Sequence, residues 1–454
     1  MGESDAIRTL EGGLATAMAR AGYSDISGLR RLTGGATMES WRFSAGGEDY
    51  VLRRAPSLAF MEGRPYGHDV EAAVIRAAHG AGVKAPEVMV ELVPDDGIGS
   101  GFVMRALPGT PDPKAILAME QPDQLLREVA GDLARIHSLD PARLPASIPT
   151  MDYAEGIAGM RQQFEDAGGD RPIIALGLRW LTDHVPDAAT PVLNHGDYRL
   201  GNILAEDSHL TGVLDWELAH FGDRHEDLAF GCMAVWRFAR YDRPALGLGA
   251  LEDYFAAYEA AGGAPVDRER FRFWMIYRTV WWALGCLRMA SFWRTGQDRM
   301  LERVVISRRT SENELDLLLL LEEDAPAALR DSKLEVLPDD ATCQETRRGE
   351  AGFGEIATAI AEWLATLKDK VEWHDRFQLA VARNALGMLA REDRPFRRPV
   401  TDAGLCADIF AGTTNLAERD LLNELRQRAL QKLETDVPKY PALAVARNKW
   451  TGED

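Results

Sequence analysis

Cysteine is scarce in this chain of 454 residues: there are four, Cys232, Cys286, Cys343 and Cys406. They stand far apart and none forms a CxxC pair, so neither a disulfide framework nor a thiolate metal site is expected. Reduced thiols in a cytoplasmic compartment fit better. Positive charge is also short, with 52 Lys and Arg against 71 Asp and Glu and a formal net charge of -19. That balance speaks against a nucleic-acid partner and for solubility, or for a cationic or metal-bridged ligand. Long hydrophobic runs are missing. The most apolar stretch, FWMIYRTVWWALGCLRMASFW, is interrupted by Arg278 and Arg288. A membrane span needs roughly 20 uninterrupted apolar residues, so a buried helix with polar handles is expected and no membrane partner. The opening MGESDAIRTL is acidic and has no apolar secretory core.

What is present organises itself around Leu193 to Asp223, LNHGDYRLGNILAEDSHLTGVLDWELAHFGD. A turn carries His195, Asp197 and Asn202. Two short apolar steps, NIL and GVL, flank a break at residues 206–209, and the second runs into Asp215. Two strands around such a turn bring Asn202 and Asp215 to one end of a hairpin. A carboxylate, an amide and a second carboxylate then share that end. Phosphoryl transfer needs such a set: one group to orient an attacking hydroxyl and two oxygen ligands for Mg²⁺. No Ser or Cys nucleophile accompanies the pair His195 and Asp197, which argues against a hydrolase.

H-G-D-x-x-x-x-N followed by L-D-W resembles the catalytic core of the aminoglycoside phosphotransferase and choline kinase-like superfamily. The branch it resembles most is the kinase domain of acyl-CoA-dehydrogenase-linked hydroxyacid kinases. The resemblance covers about residues 25–300 and implies a bilobal, protein-kinase-like α+β fold. A small antiparallel sheet forms its N-lobe and helices form most of its C-lobe. It also implies ATP as phosphate donor, Mg²⁺ as cofactor and a small-molecule acceptor. Asn202 and Asp215 would hold the metal. Asp197 would accept or orient the acceptor's proton, His195 would brace the turn, and Arg199 would face the acceptor or the transferred phosphate.

The rest of the chain is read in order. Residues 7–21 have helical spacing, but an interior Gly–Gly suggests a short or frayed helix. Strands are expected at 29–33, 40–45 and 49–54, with turns at Gly34–Gly35 and Gly46–Gly47. The Gly34–Gly35 turn is either an ordinary hairpin turn or a cradle of backbone N–H groups for phosphates; the resemblance favours the cradle. In the third strand the resemblance assigns Arg53 to the α- and β-phosphates, while Arg54 alternates to the solvent face. Glu71, early in a helix over 68–80, would brace Arg53, or serve only as a carboxylate favoured by the helix dipole. Strands at 87–92 and 101–109 complete a five-stranded sheet. Backbone around Met104 to Leu107 would meet adenine. The loop TGGATMES is not G-x-G-x-x-G, and arginine replaces the lysine of protein kinases at 53.

Helices follow at 125–140, 151–166, 173–184, 228–240, 247–261, 268–292 and 298–322. His137 would bond to loop backbone, Asp227 would brace the catalytic loop and Asp223 would cap a helix. Arg278 and Arg288, set among many aromatics, need a counter-charge if buried and could anchor an acceptor's carboxylate or phosphate. This leads to four expected segments: 1–108 (N-lobe), 109–322 (C-lobe with the acceptor pocket), 323–345 (linker) and 346–454 (helical domain). The last block contains no clustered His, Cys or Asp set; a regulatory, docking or assembly role is expected, and a homodimer through it is admitted. The expected activity is transfer of the γ-phosphate of ATP to a hydroxy acid or hydroxyacyl thioester. The competing readings are an aminoglycoside, amino-alcohol or sugar kinase, and a catalytically weak nucleotide-binding regulatory protein.

Overall fold

Burial alternates from Tyr50 to Arg53, and that alternation sets the two faces of the sheet. Tyr50 and Leu52 are buried on one face, while Arg53 emerges on the other. The computed structural model describes residues 3–23, 25–32, 38–56, 61, 64–334, 353–371, 373–392 and 401–452. Helix α1 (Glu3–Arg20) precedes β1 (Ile26–Arg31), β2 (Glu39–Ala45) and β3 (Glu48–Ala55); then come α2 (His68–Gly80), β4 (Val88–Glu91) and β5 (Ser100–Arg105). The five strands pair antiparallel in the order β1-β2-β3-β5-β4. Helices α3 (Pro113–Leu117), α4 (Pro122–His137), α5 (Tyr153–Asp166) and α6 (Pro172–Asp183) follow. Next are β6 (Val192–Asn194), β7 (Ile203–Glu206), β8 (His209–Val213), β9 (His220–Gly222), α7 (Arg224–Phe230) and α8 (Leu251–Ala260). The remainder is helical: α9 (Arg268–Arg294), α10 (Leu301–Arg308), α11 (Thr310–Leu321), α12 (Ala327–Arg330), α13 (Phe353–Ala365), α14 (Trp373–Glu392), α15 (Ala403–Ala411), α16 (Arg419–Asp436) and α17 (Pro441–Thr451).

The chain divides into two compact units. The first comprises residues 1–151 and 187–271, the second residues 152–186 and 272–454. These units do not follow the boundaries expected at 108, 322 and 346, because the C-terminal helices share a core with elements far upstream. Within the second unit the side chains of Arg426 and Glu322 are both fully buried and paired at 2.8 Å. Trp450 Nε1 donates to the same carboxylate at 3.0 Å, and Tyr440 donates its hydroxyl to Asp316. The expected linker begins with α12, and the carbonyls of Arg330 and Ser332 accept from Arg426.

In the first unit, Leu10, Leu14 and Met18 of α1 join Phe43, Tyr50, Leu52 and Val103 in one core. This helix is continuous rather than frayed. A Cβ on Gly13 would lie 2.3 Å from the Asp96 carbonyl and 2.4 Å from Ile98, so glycine permits the close approach that seats α1. Arg54 is not a solvent-facing arginine: it pairs with Glu39 at 2.7 Å and donates to the Ile98 carbonyl at 2.9 Å. The helix expected at 228–240 stops at Phe230. Phe238 and Ala239 then take left-handed backbone conformations (φ 45° and 77°), which a helix cannot continue through. The expected helix over 298–322 is two, α10 and α11. Among the described residues no helix is long and apolar enough to cross a membrane.

Glu322→Ala would leave the Arg426 guanidinium buried without its charge partner. Equilibrium urea unfolding is expected to show a loss of about 3–5 kcal/mol, with Glu322→Gln losing less because hydrogen bonds to Arg426 survive.

Candidate active site

The β7–β8 hairpin is the frame of the site. Ile203 pairs with Val213, and the Leu214 amide donates to the Asn202 carbonyl at 2.7 Å. Asn202 and Asp215 therefore leave the same end of the hairpin. Asp215 adopts a left-handed conformation (φ 69°), which aspartate tolerates better than most residues. The Val213 amide donates to the Lys84 carbonyl at 2.8 Å. Beyond Asp215 the buried Trp216 donates Nε1 to the Val213 carbonyl at 3.1 Å. The Tyr66 hydroxyl lies 3.0 Å from the carbonyls of both Trp216 and Ala219.

The turn from Asn194 to Asn202 is held from beneath by one buried carboxylate. Asp227 accepts the amides of His195 at 2.6 Å and Gly196 at 2.8 Å. Burial alone would raise its pKa, but the nearby His137 and the two amides hold it below the ordinary value. His137 therefore acts one step removed from the loop. Its Nε2 lies 3.4 Å from Asp227 and its Nδ1 2.7 Å from the Tyr258 hydroxyl, rather than on loop backbone. At Gly196 (φ 83°) a Cβ would stand 2.3 Å from the Leu218 carbonyl, so glycine is required. Burial pushes the pKa of His195 down. The neutral ring donates Nε2–H to the Leu214 carbonyl at 3.0 Å and accepts the Asp197 amide on Nδ1 at 3.2 Å. His195 thus ties the turn to the chain just before Asp215.

Asp197 is bonded by two of the expected groups. Arg199 Nε donates to its Oδ1 at 2.7 Å, and Asn202 Nδ2 reaches its backbone carbonyl at 2.9 Å and its Oδ2 at 2.5 Å. Arg199 is held to Asp197, and its guanidinium lies 4.2 Å over the Trp236 ring. Burial, with the charge of Asp215 added, raises the Asp197 pKa to about 6 against the pull of Arg199 and Asn202.

On the sheet side, Arg53 gathers three carboxylates. Nε lies 3.1 Å from Glu71, and Nη2 lies 2.8 Å from Asp215 and 2.5 Å from Glu217. Arg64 adds a second guanidinium on Glu217 at 3.0 Å. Burial pushes Glu71 up to about 7 despite Arg53, with Asp215 and Glu217 adding to the rise. His68 is lowered to about 4 by burial and by the charges of Arg53 and Arg64. Glu217 and Arg64 were missed in the sequence reading. The D-W-E triplet at 215–217 carried the signal for Glu217, a second carboxylate two residues after the first.

Not every expected residue joins this cluster. Gly34 and Gly35 lie outside the described residues. Met104 is paired on both sides within the sheet, opposite Val51 and Val88. The amides of Arg105 and Ala106 donate to Glu87 and Asp49, so these two are committed to the sheet rather than to a base. The Leu107 side chain packs near Gly212 of the hairpin.

The donor set fits Mg²⁺. Glu71, Asp215 and Glu217 share two guanidinium groups, which leaves negative charge for a cation, and the Asn202 nitrogen is spent on Asp197, which leaves its oxygen as a ligand. Among the described residues no group of three His, Cys, Asp or Glu forms a metal cage. Mg²⁺ shared between one or two protein groups and substrate phosphates needs none.

A model of the phosphotransferase enzyme family (APH) matches residues 28–274, a span that contains every group just described. The chain belongs to this family. A protein of Ralstonia eutropha, provisionally described as an aminoglycoside phosphotransferase, shares the fold: TM-score 0.55, 21% identity, 68% of this chain and 97% of that one covered. The antiparallel-sheet N-terminal lobe, the helical C-lobe and the further C-terminal helices agree with the expected α+β class. Among curated proteins, acyl-CoA dehydrogenase family member 10 of Mus musculus is 30% identical over 244 residues, 49% of this chain and 22% of its own length. A probable acyl-CoA dehydrogenase of Arabidopsis thaliana is 24% identical over 262 residues, 50% of this chain and 31% of its own. The chain thus spans less than a third of these relatives. The family is one of phosphotransferase enzymes.

A base must be ionised to accept a proton, and the Asp197 pKa is raised to about 6. The acceptor kcat/KM is therefore expected to fall tenfold per pH unit below about 6. The measurement is a pH–rate profile from pH 5 to about 8, in which Arg199→Gln shifts the acidic limb upward by removing the cation that favours the carboxylate.

Proposed function

We propose that this family member transfers the γ-phosphate of ATP, with Mg²⁺, to a hydroxyl of a small molecule, here an amino alcohol or sugar. The observation that carries the transfer is the convergence of Asp197, Asn202 and Asp215 at one hairpin end, with Arg53 bound to both Glu71 and Asp215. Asp197 orients the acceptor hydroxyl and takes its proton as the oxygen attacks. Arg199 stands beside it and faces the charge of the transferred group. Arg53, held by Glu71, binds the α- and β-phosphates through its fork. Mg²⁺ held by Asn202 and Asp215 supplies charge neutralisation on the phosphates. Positioning and electrostatics carry most of such a reaction, so Asp197 needs no extreme basicity.

The acceptor class rests on different support. Arg278 and Arg288 were the argument for an anionic acceptor, and both belong to the second unit. The Arg278 guanidinium is 4.8 Å over Trp281. Arg288 lines a cavity of about 510 Å³ with Arg171, Leu284, Leu287, Arg308 and Lys432. Family and fold favour an amino alcohol or sugar instead. The hydroxy acid or hydroxyacyl thioester stands as a second reading on one observation: Arg237, Arg240 and Arg243 follow Trp236 on the loop that backs Arg199. Three buried cysteines, Cys232, Cys286 and Cys406, carry free thiols, which fits a reducing compartment such as the cytoplasm.

The test is ATP consumption with Mg²⁺ across aminoglycosides, amino alcohols, sugars, hydroxy acids and their CoA thioesters. Asp197→Ala serves as blank and is expected to lose at least about a hundredfold in kcat. Asp215→Ala is expected to weaken Mg²⁺–ATP binding, read by calorimetry. Turnover of hydroxy acids alone selects the second reading. ATP binding without turnover of any acceptor points to a nucleotide-binding regulatory protein.

A further inference from the structure

The cavity of about 510 Å³ lies wholly within the second unit, and small-molecule sites span roughly 300–1,000 Å³. Its walls come from α5, Arg171, α9, α10 and α16. The α9 wall is graded. Leu284, Leu287, Arg288, Ser291 and Arg294 recur at helical spacing along one face, apolar at the first end and cationic at the second. Arg171, Arg308 and Lys432 bring further cations to the same cavity.

Those further cations already have partners. Arg171 pairs with Glu314. Arg308 lies 2.7 Å from Asp436 and 3.1 Å from Glu392, and Lys432 shares the same buried Asp436. Burial, with the charges of Arg308 and Arg171 added, holds the Lys432 ammonium below its ordinary pKa despite Asp436, so added negative charge is favoured there. Of the other carboxylates in the lining, Asp166 accepts from Gln162 at 2.9 Å, and Asp170 adds its charge beside Arg171. Arg288 and Arg294 differ from the rest. Both are exposed, and neither pairs with a carboxylate among the described residues; the Arg288 guanidinium rests 5.0 Å over the Phe292 ring. The cavity thus holds two uncommitted guanidinium groups next to an apolar wall.

We propose that this cavity binds a phosphate monoester with an apolar body. The two uncommitted guanidinium groups match a phosphate dianion in charge, and their planar forks match its oxygens. Lys432 adds a point charge with three donors, of which Asp436 takes only part. A phosphate alone leaves most of the volume unfilled, and Leu284, Leu287 and Ala290 offer the body of an ester an apolar surface to cover. The C-terminal helices gain a role from this site, because α16 supplies Lys432 and Asp436 and the cavity is incomplete without them.

Titration calorimetry of the full chain with hexyl phosphate, in the absence of ATP and Mg²⁺, is the test. One site per chain is expected, with a Kd below about a millimolar. Binding is expected to be at least about tenfold tighter than that of inorganic phosphate, tighter than that of hexanoate, and absent with hexanol. Arg288→Ala and Arg294→Ala are each expected to raise the Kd about tenfold. Circular dichroism and the thermal midpoint stay unchanged in both, since both side chains are exposed. Arg53→Ala, which removes the phosphate-binding group of the candidate active site, is expected to leave the Kd as it is, so failure here and failure of the proposed transfer are read separately. No binding of hexyl phosphate at about ten millimolar overturns the proposal. So does an affinity that survives the two arginine substitutions together, one that falls with Arg53→Ala instead, or hexanoate bound as tightly as the phosphate ester.

Discussion

One guanidinium links the sheet to the catalytic hairpin. Arg53 leaves β3 on the face away from the α1 core and binds Glu71 of α2, Asp215 at the hairpin end and Glu217 beyond it. An arginine suits this arrangement because its planar fork spreads donors over separate nitrogens, Nε toward Glu71 and Nη2 toward Asp215 and Glu217. The cluster also carries a cost. Burial, with the charges of Asp215 and Glu217 added, pushes Glu71 up to about 7. Arg64 on Glu217 reduces that repulsion. Glu71 and Glu217 hold Arg53 independently of Asp215.

A second constraint keeps the catalytic turn in place without contributing to its chemistry. Asp227 fixes the amides of His195 and Gly196, and His195 carries the order onward to the Leu214 carbonyl and the Asp197 amide. The imidazole must be neutral to donate from one nitrogen and accept on the other, and burial ensures that it is. Asp197 can then be tuned by its immediate neighbours alone: Arg199 and Asn202 favour its charge while burial and Asp215 oppose it. The balance leaves a carboxylate that is ionised at neutral pH yet basic enough to receive a proton.

What the sequence made legible was local. The hairpin from Ile203 to Val213, the helix from His68 to Gly80 and the five-stranded sheet all follow from apolar periodicity and turn residues within short windows. So did the chemical kind of the site, because its three defining groups lie within nineteen residues of one another, from Asp197 to Asp215. Glu217 and Arg64 were less visible because their meaning comes from Arg53, far away in the chain. The left-handed Phe238 and Ala239 broke a helix that periodicity alone extends. Gly13 reads as a helix weakener until Asp96 and Ile98 are seen beside it. The division into units was hidden for the same reason: Glu322 and Arg426 are separated by 104 residues, and no window contains both.

The buried pair of Glu322 and Arg426 also bears on the role of the C-terminal helices. A detachable docking module would be joined by a solvated linker and would keep its own core. Here the guanidinium of α16 is fully buried against a carboxylate at the end of α11, and α17 adds Trp450 to the same oxygens. Such a pair is costly to desolvate, and removing either partner strands the other charge in the interior. The helices from α15 onward are thus structural partners of α6 and α11, with Arg179 of α6 donating to the Phe410 carbonyl at 2.9 Å. Among the described residues of this block, the α13–α14 hairpin differs in leaving Phe353, Trp363 and Phe377 exposed.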